Sequence, residues 1–127
     1  MRFFKLKFYY SLFSVIAINT YNEQMDLGMK NGPLKGIKII DASSILMVPY
    51  CTRLLADMGA EVIKIETLEG DNTRYIGPGV NKGMGAVFLN INRNKKSICI
   101  DLKTQDGQLI VKKLIKSADV FVSNIRK

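Results

Sequence analysis

Apolar and polar positions repeat one pattern twice along this chain. Ile37-Lys38-Ile39-Ile40 is a short β-branched run ending at Asp41, with Ser43 and Ser44 behind it as turn or cap residues. Pro49 then suits the first turn of a helix, where its missing N–H costs nothing. Cys51, Leu54, Leu55 and Met58 form the apolar face that this helix is expected to bury, and Gly59 supplies its stop. Glu61–Glu66 reads as the second strand, and the connection is long enough for a parallel crossover. Beyond a loop holding Gly70, Gly77, Gly79, Gly83 and Gly85 the same order returns. Ser97–Leu102 alternates with period two, placing Ile98, Ile100 and Leu102 on one face. Thr104 suits an N-cap and Asp106 the positive first turn of the next helix, whose buried stripe is expected at Leu109, Ile110, Leu114 and Ile115. Val120-Phe121-Val122 is the fourth strand. Two consecutive βαβ units predict an α/β domain with a mainly parallel sheet.

Composition narrows the chemistry. The 127 residues suit one domain or part of one, and 47% apolar with 24% charged residues excludes a disordered or collagen-like chain. No apolar run reaches the roughly 18–20 residues of a membrane-spanning helix, so a membrane partner is not expected. Cys51 and Cys99 are too few for a disulfide framework and lack zinc-ligand spacing; they read as reduced thiols of a cytoplasmic protein, and no metal is expected. The chain has no histidine, which removes Ser-His and Cys-His nucleophile pairs and leaves carboxylates, lysines or bound ligands to do any chemistry.

The aromatic residues mark a boundary. Seven of them (Phe3, Phe4, Phe8, Tyr9, Tyr10, Phe13 and Tyr21) lie in the first 21 residues, so residues 1–31 read as an atypical leader and residues 32–127 as the domain. The leader's basic start and the apolar stretch from Phe8 to Ile18 resemble a secretory signal, but a small-x-small cleavage site is missing. Three readings stay open: an upstream translation artefact with the true start at Met25 or Met29, a targeting peptide, and a membrane-surface anchor. Charge is uneven too, since residues 92–127 hold nine basic and three acidic side chains within a net charge of +8. Such a cluster suits an anionic partner. Nucleic acid is not the expected one, because the basic face lacks interleaved aromatics and any recognised module.

Ligands of parallel sheets sit beyond the carboxyl ends of the strands, near a topological switch point. That rule selects Ser43–Val48, Thr67–Asp71, Ile100–Thr104 and Ser123–Lys127, with cations at Lys103, Arg126 and Lys127 and, in flanking loops, Arg74, Arg93 and Lys95. A nucleotide-like anion is plausible from this layout. A dinucleotide site fits poorly, because Asp41-Ala42-Ser43-Ser44-Ile45-Leu46 lacks G-x-G-x-x-G, and the phosphate-binding G-x-x-x-x-G-K-[ST] loop is absent. Glu66 imitates a ribose-binding acid; a solvated strand-end charge is the plainer reading.

Five ordered segments carry a resemblance. They are Pro33–Asp41, Leu54–Glu66, Gly70-Asp71-Asn72-Thr73-Arg74, Asn92–Ser97 running into Asp101-Leu102-Lys103, and Ala118-Asp119-Val120 leading to Asn124. Together they resemble the opening of the family III CoA-transferases, the group of formyl-CoA and carnitine CoA-transferases and alpha-methylacyl-CoA racemases. The resemblance implies a Rossmann-like, CoA-binding N-terminal portion of a larger, interlocked homodimer, whose substrates are an acyl-CoA and a carboxylic acid. Carried over by position, it places Leu46 and Met47 in the adenosine pocket and Ile100, Asp101, Leu102 and Lys103 beside the CoA, with Asn124 and Ile125 after the fourth strand. Alternation alone also marks Ile100 and Leu102 as core. For Arg93 and Lys95, phosphate contact and loop solvation both stand. Departures from the family pattern fall at Val48, where glycine is usual, and at Thr67, Ser123 and Ile125.

The resemblance also implies a mechanism. A family aspartate well downstream attacks the acyl-CoA thioester; CoA thiolate then returns to give an aspartyl-CoA thioester, and the acceptor acid takes over the CoA. That aspartate is expected beyond Lys127, so no catalytic residue is assigned and the chain is expected to be inactive alone. A stand-alone CoA- or nucleotide-binding or regulatory module and a racemase-type relative remain as alternatives.

Overall fold

A computed structural model describes residues 32–125. The expected leader and the cations Arg126 and Lys127 lie outside the described residues. The elements are β1 (Lys38–Ala42), α1 (Met47–Asp57), β2 (Glu61–Glu66), a 3-10 turn (Asn72–Tyr75), α2 (Ala86–Ile91), β3 (Lys95–Cys99), α3 (Gln105–Lys116) and β4 (Val120–Ser123). All four strands are parallel in the order β3-β2-β1-β4. The α/β architecture expected from the two repeated patterns is therefore present. Because α3 carries the chain from one edge of the sheet to the other, the switch point falls between β1 and β4. No helix among the described residues is long and apolar enough to cross a membrane.

Each face of the sheet is covered, and the two coverings differ. Under α3, Ile40, Ala42, Ile65 and Ile100 form a buried aliphatic cluster joined by Ile63, Ile98, Val111, Leu114 and Ala118. Under α1, Ile39, Ala56, Ala60 and Val62 form a smaller cluster with Leu34, Leu55 and Val122. Burying such aliphatic side chains stabilises by about 1.5–3 kcal/mol each, and the α3 face has more of them. Two details of α3 match expectation: Thr104 Oγ1 accepts the Gly107 N–H at 3.0 Å, and Asp106 lies in the first turn. Gly107 is required there because a Cβ would stand 2.0 Å from the Asp101 carbonyl oxygen.

Four expectations need correction. Of the apolar face drawn on α1, only Leu55 packs against the core; Cys51, Leu54 and Met58 are exposed, and Pro49, Thr52, Arg53 and Ala56 are buried instead. The reason is the sheet below, whose buried charges need polar partners from the helix. On α3, Leu109 and Ile110 are exposed and Val111 takes the core position beside Leu114. Strand β3 begins two residues earlier than expected and ends at Cys99, while Ile100 remains tied to the sheet by its N–H to the Glu66 carbonyl at 2.9 Å. Finally, the Gly-rich connection contains α2, anchored by buried Phe88 and Ile91.

Candidate functional site

The site begins with strand alternation. In β2, Val62, Lys64 and Glu66 point to the α1 side, and register aligns Lys64 with Asp41 of β1 and Ser97 of β3. Lys95, level with Val62, reaches along the same face. Four charged residues, Asp41, Lys64, Glu66 and Lys95, are thereby buried under α1. Isolated charges there would be very costly, so each is paired and hydrogen-bonded.

Three ion pairs result. Lys95 Nζ lies 2.9 Å from Asp41 and also donates to the Pro49 carbonyl at 2.7 Å and Asn92 Oδ1 at 2.8 Å. Asp41 accepts further from the Thr52 hydroxyl at 2.6 Å, the Ser43 N–H at 3.0 Å and the Ser43 hydroxyl. Lys64 Nζ lies 2.9 Å from Asp71 and donates to the Ser43 carbonyl at 2.6 Å. Glu66 holds Arg74 through two bonds, Nε at 2.7 Å and Nη2 at 2.6 Å, and also accepts from the Asp71 N–H at 2.9 Å and the Ser97 hydroxyl. The Arg74 guanidinium stacks 3.7 Å from the centre of the Phe88 ring, which ties α2 to this wall.

These contacts set protonation. Burial pushes the Asp41 carboxyl upward, but Lys95 and the Ser43 and Thr52 hydroxyls outweigh it, and the group ends below its ordinary value. Burial likewise raises Glu66 and Asp71, and the Arg74 and Lys64 partners respectively bring each below the ordinary range. For Lys95 burial dominates the attraction of Asp41 and pulls the ammonium down to about 8. All three carboxylates and Lys95 are charged at neutral pH.

At the carboxyl edge, next to the switch point, these elements enclose a cleft of about 120 Å³. Ser43, Ser44, Glu66, Gly70, Leu102 and Ile125 are among its walls. Its charged walls are already neutralised from within, so the cleft presents a largely apolar surface with no unpaired carboxylate at Glu66 or Asp71. Glu66 is thus neither a solvated strand-end charge nor an available ribose acceptor, because its oxygens are saturated by Arg74, Ser97 and the Asp71 N–H.

The structure brings together some of the residues selected by sequence and separates others. Leu102 and Ile125 both line the cleft. Leu46 and Met47 stand exposed at the start of α1, and Lys103 is exposed beyond β3, its N–H bound to the Asp101 carboxylate at 2.9 Å. Ile100 is buried in the aliphatic core. Asn124 spans the switch point: its Oδ1 accepts the Ser44 N–H at 3.0 Å and its Nδ2 donates to the Ser44 carbonyl at 2.9 Å. Two candidates stand elsewhere. Lys95 turns inward onto Asp41, so its charge is spent in the core and not on a phosphate. Arg93 precedes β3 at the amino edge and pairs with Asp57 at 2.9 Å, opposite the cleft. Sequence reasoning missed Lys64 and Thr52, and it selected Asp71 only as the end of the Thr67–Asp71 segment, without its partner. The signal was available in Val62-x-Lys64-x-Glu66, where two charges share the face of a buried valine.

Comparison with known proteins now decides the family. The family model for CoA-transferase family III matches residues 34–127. The chain belongs to CoA-transferase family III. Similar family members include the mouse succinyl-CoA:glutarate CoA-transferase, 46% identical over 93 residues, covering 72% of this chain and 21% of that protein. The (R)-2-hydroxy-4-methylpentanoate CoA-transferase of Clostridioides difficile is 42% identical over 98 residues, covering 73% of this chain and 24% of that one. Among solved structures, a CaiB/BaiF family protein from Brucella suis superposes with a TM-score of 0.71 at 40% identity, covering 75% of this chain and 26% of its own. The chain therefore spans about a quarter or less of the length of these two curated CoA-transferases.

Proposed function

We propose that residues 32–127 form the CoA-binding portion of an enzyme that moves CoA between an acyl-CoA and a carboxylic acid. The observation that carries this reading is the cleft at the switch point, lined by Leu102, Ile125 and the Ser43–Ser44 loop. Its neutral lining suits the uncharged parts of CoA, while exposed Lys103, next in sequence to the lining residue Leu102, suits a phosphate as a mobile point charge. Leu46, Met47, Asp101 and Asn124 border the same edge.

The nucleophilic carboxylate of the reaction is assigned to none of the described aspartates. Asp41 and Asp71 are buried in ion pairs, Asp57 holds Arg53 and Arg93, Asp101 binds the Lys103 N–H, Asp106 sits in the first turn of α3, where a negative charge suits the helix N-terminus, and Asp119 accepts the Lys38 N–H. Each is occupied structurally. Association with a second chain belongs to the same reading; its support is the apolar surface left exposed on α1 at Met47, Tyr50, Leu54 and Met58.

Isothermal titration of the 127-residue chain with CoA tests the binding. Saturable binding that Leu102→Asp weakens about tenfold or more is expected, since bound ligand would cover the new charge against its uncharged parts. Absence of binding, or binding indifferent to Leu102→Asp, overturns the assignment of the cleft. In a CoA-transfer assay with an acyl-CoA and a free acid, the chain alone should give no turnover above background. Turnover would overturn the exclusion of the described aspartates.

A further inference from the structure

The loop joining β1 to α1 is held more tightly than its exposure suggests. Ser43 and Ser44 have four backbone hydrogen-bonding groups between them, and a side chain binds every one. The Ser43 N–H donates to Asp41 at 3.0 Å, and the Ser43 carbonyl accepts from Lys64 Nζ at 2.6 Å. The Ser44 N–H and carbonyl are taken by the amide of Asn124 at 3.0 and 2.9 Å. The clamp thus draws on β1, β2 and the end of β4. Loop backbone more commonly satisfies itself with water.

The residue just after the clamp is strained. Ile45 has φ of +68°, in the left-handed region. A β-branched residue is a genuine outlier there, and such conformations persist only where surrounding structure over-determines them. Ile45 is 51% exposed, so burial of its side chain does not enforce the conformation. The Ser43–Ser44 clamp on one side and the first turn of α1 on the other, closed by the Tyr50 N–H to the Leu46 carbonyl at 2.9 Å, do so. The result fixes the direction in which Leu46 and Met47 leave the sheet at the switch point.

We propose that Lys64 and Asn124 are positioning residues that clamp Ser43–Ser44 and hold Ile45 in its strained conformation, so that the loop meets CoA already in its binding geometry. This rests on the CoA-binding reading above. It changes the role of Asn124, whose amide is engaged by Ser44 on both its oxygen and its nitrogen: the residue acts on the ligand through the loop. Preordering of this kind strengthens binding by removing the entropy cost of fixing the loop upon association.

The clamp predicts an unusual pairing of stability and affinity. Glycine adopts positive φ without strain, so Ile45→Gly should leave the unfolding temperature unchanged or raised while freeing the loop. CoA binding by the 127-residue chain, measured by calorimetry, should weaken about three- to tenfold in Ile45→Gly, and similarly in Asn124→Ala. Hydrogen exchange at the Ser44 amide should be slow in the unmodified chain and fast in Asn124→Ala. Ile45→Gly binding CoA as tightly as the unmodified chain, or losing affinity only in step with lost stability, overturns the proposal. If the unmodified chain binds no CoA, the ligand reading fails. The clamp is then judged by exchange alone, and a Ser44 amide that exchanges at the same rate in both proteins, fast or slow, overturns it.

Discussion

The two faces of one four-stranded sheet solve burial in opposite ways. Toward α3, Ile40, Ile65, Ile98 and Ile100 pack against Val111 and Leu114 with no charge among them. Toward α1, the same strands present Asp41, Lys64, Glu66 and Lys95, covered by a helix that contributes Thr52 and turns Leu54 and Met58 outward. Aliphatic burial is non-directional and tolerates rearrangement, so the α3 face supplies stability without dictating where any loop goes. Buried ion pairs add little net stability, because desolvation offsets their attraction. What they add here is direction. Lys64 ties Ser43 to Asp71, and Glu66 ties Arg74 to Ser97 and the Asp71 N–H. The polar face builds the carboxyl edge, and the apolar face holds the sheet together.

That contrast can be broken most severely at Lys95. Replacing it with methionine leaves Asp41 charged and buried, with only hydroxyl and N–H partners. A loss of about 3–5 kcal/mol is expected in urea unfolding. The double variant Asp41→Leu with Lys95→Met should recover most of it, because neither partner of this pair is then left as an unpaired buried charge. A single variant costing under about 1 kcal/mol would show that the polar face tolerates an unpaired charge, contrary to the comparison.

Acid should separate the faces next. Asp41, Glu66 and Asp71 all titrate below their ordinary values of 3.8, 4.5 and 3.8 in the folded chain. Between each lowered value and the ordinary one the unfolded chain binds more protons, so stability rises with pH there. The contribution is complete above about pH 5 and is lost as pH falls through the folded values. Urea midpoints measured down to pH 3 should drop, and Asp71→Asn should flatten the slope; a midpoint flat from pH 6 to 3 would contradict the assignment. On the other face, Ile65→Val deletes one methylene from a charge-free cluster. A cost of about 0.5–1.5 kcal/mol, with the acid slope unchanged, is expected in the same experiment.

How much could be read from sequence divides along the same line. The strands, the crossover order and the cap at Thr104 were visible because apolar runs, turn residues and caps are local signals. The carboxyl-edge position of the cleft came from topology, and Leu102 and Ile125 were selected through the family resemblance. The roles of Lys95 and Glu66 were not legible, since a charge at a strand end reads as solvated until its partner is known. Those partners, Asp41 and Arg74, lie 54 and 8 residues away. The orientation of α1 was misjudged for the same reason. Hydrophobic periodicity assumes that the surface beneath a helix is apolar, and here buried charges share it with Ile39 and Val62.

The smallest effect bears on α3, where periodicity erred with no charge to blame. Leu109 and Ile110 carry the right spacing for a buried stripe, yet Leu109 is 54% exposed and the core contact is made by Val111 and Leu114. A helix rotated by one position buries the i, i+3 pair Val111 and Leu114, whose spacing fits as well, and these two pack on the cluster of Ile98 and Ile100. Leu109→Lys should therefore change stability by no more than about 0.5 kcal/mol, as at other surface positions. Val111→Ala, a core truncation of smaller volume, should cost more than that in the same urea series. A large loss at Leu109 would mean that this side chain is covered in the protein as it works, and the apolar face of α3 would then extend beyond the sheet it packs on here.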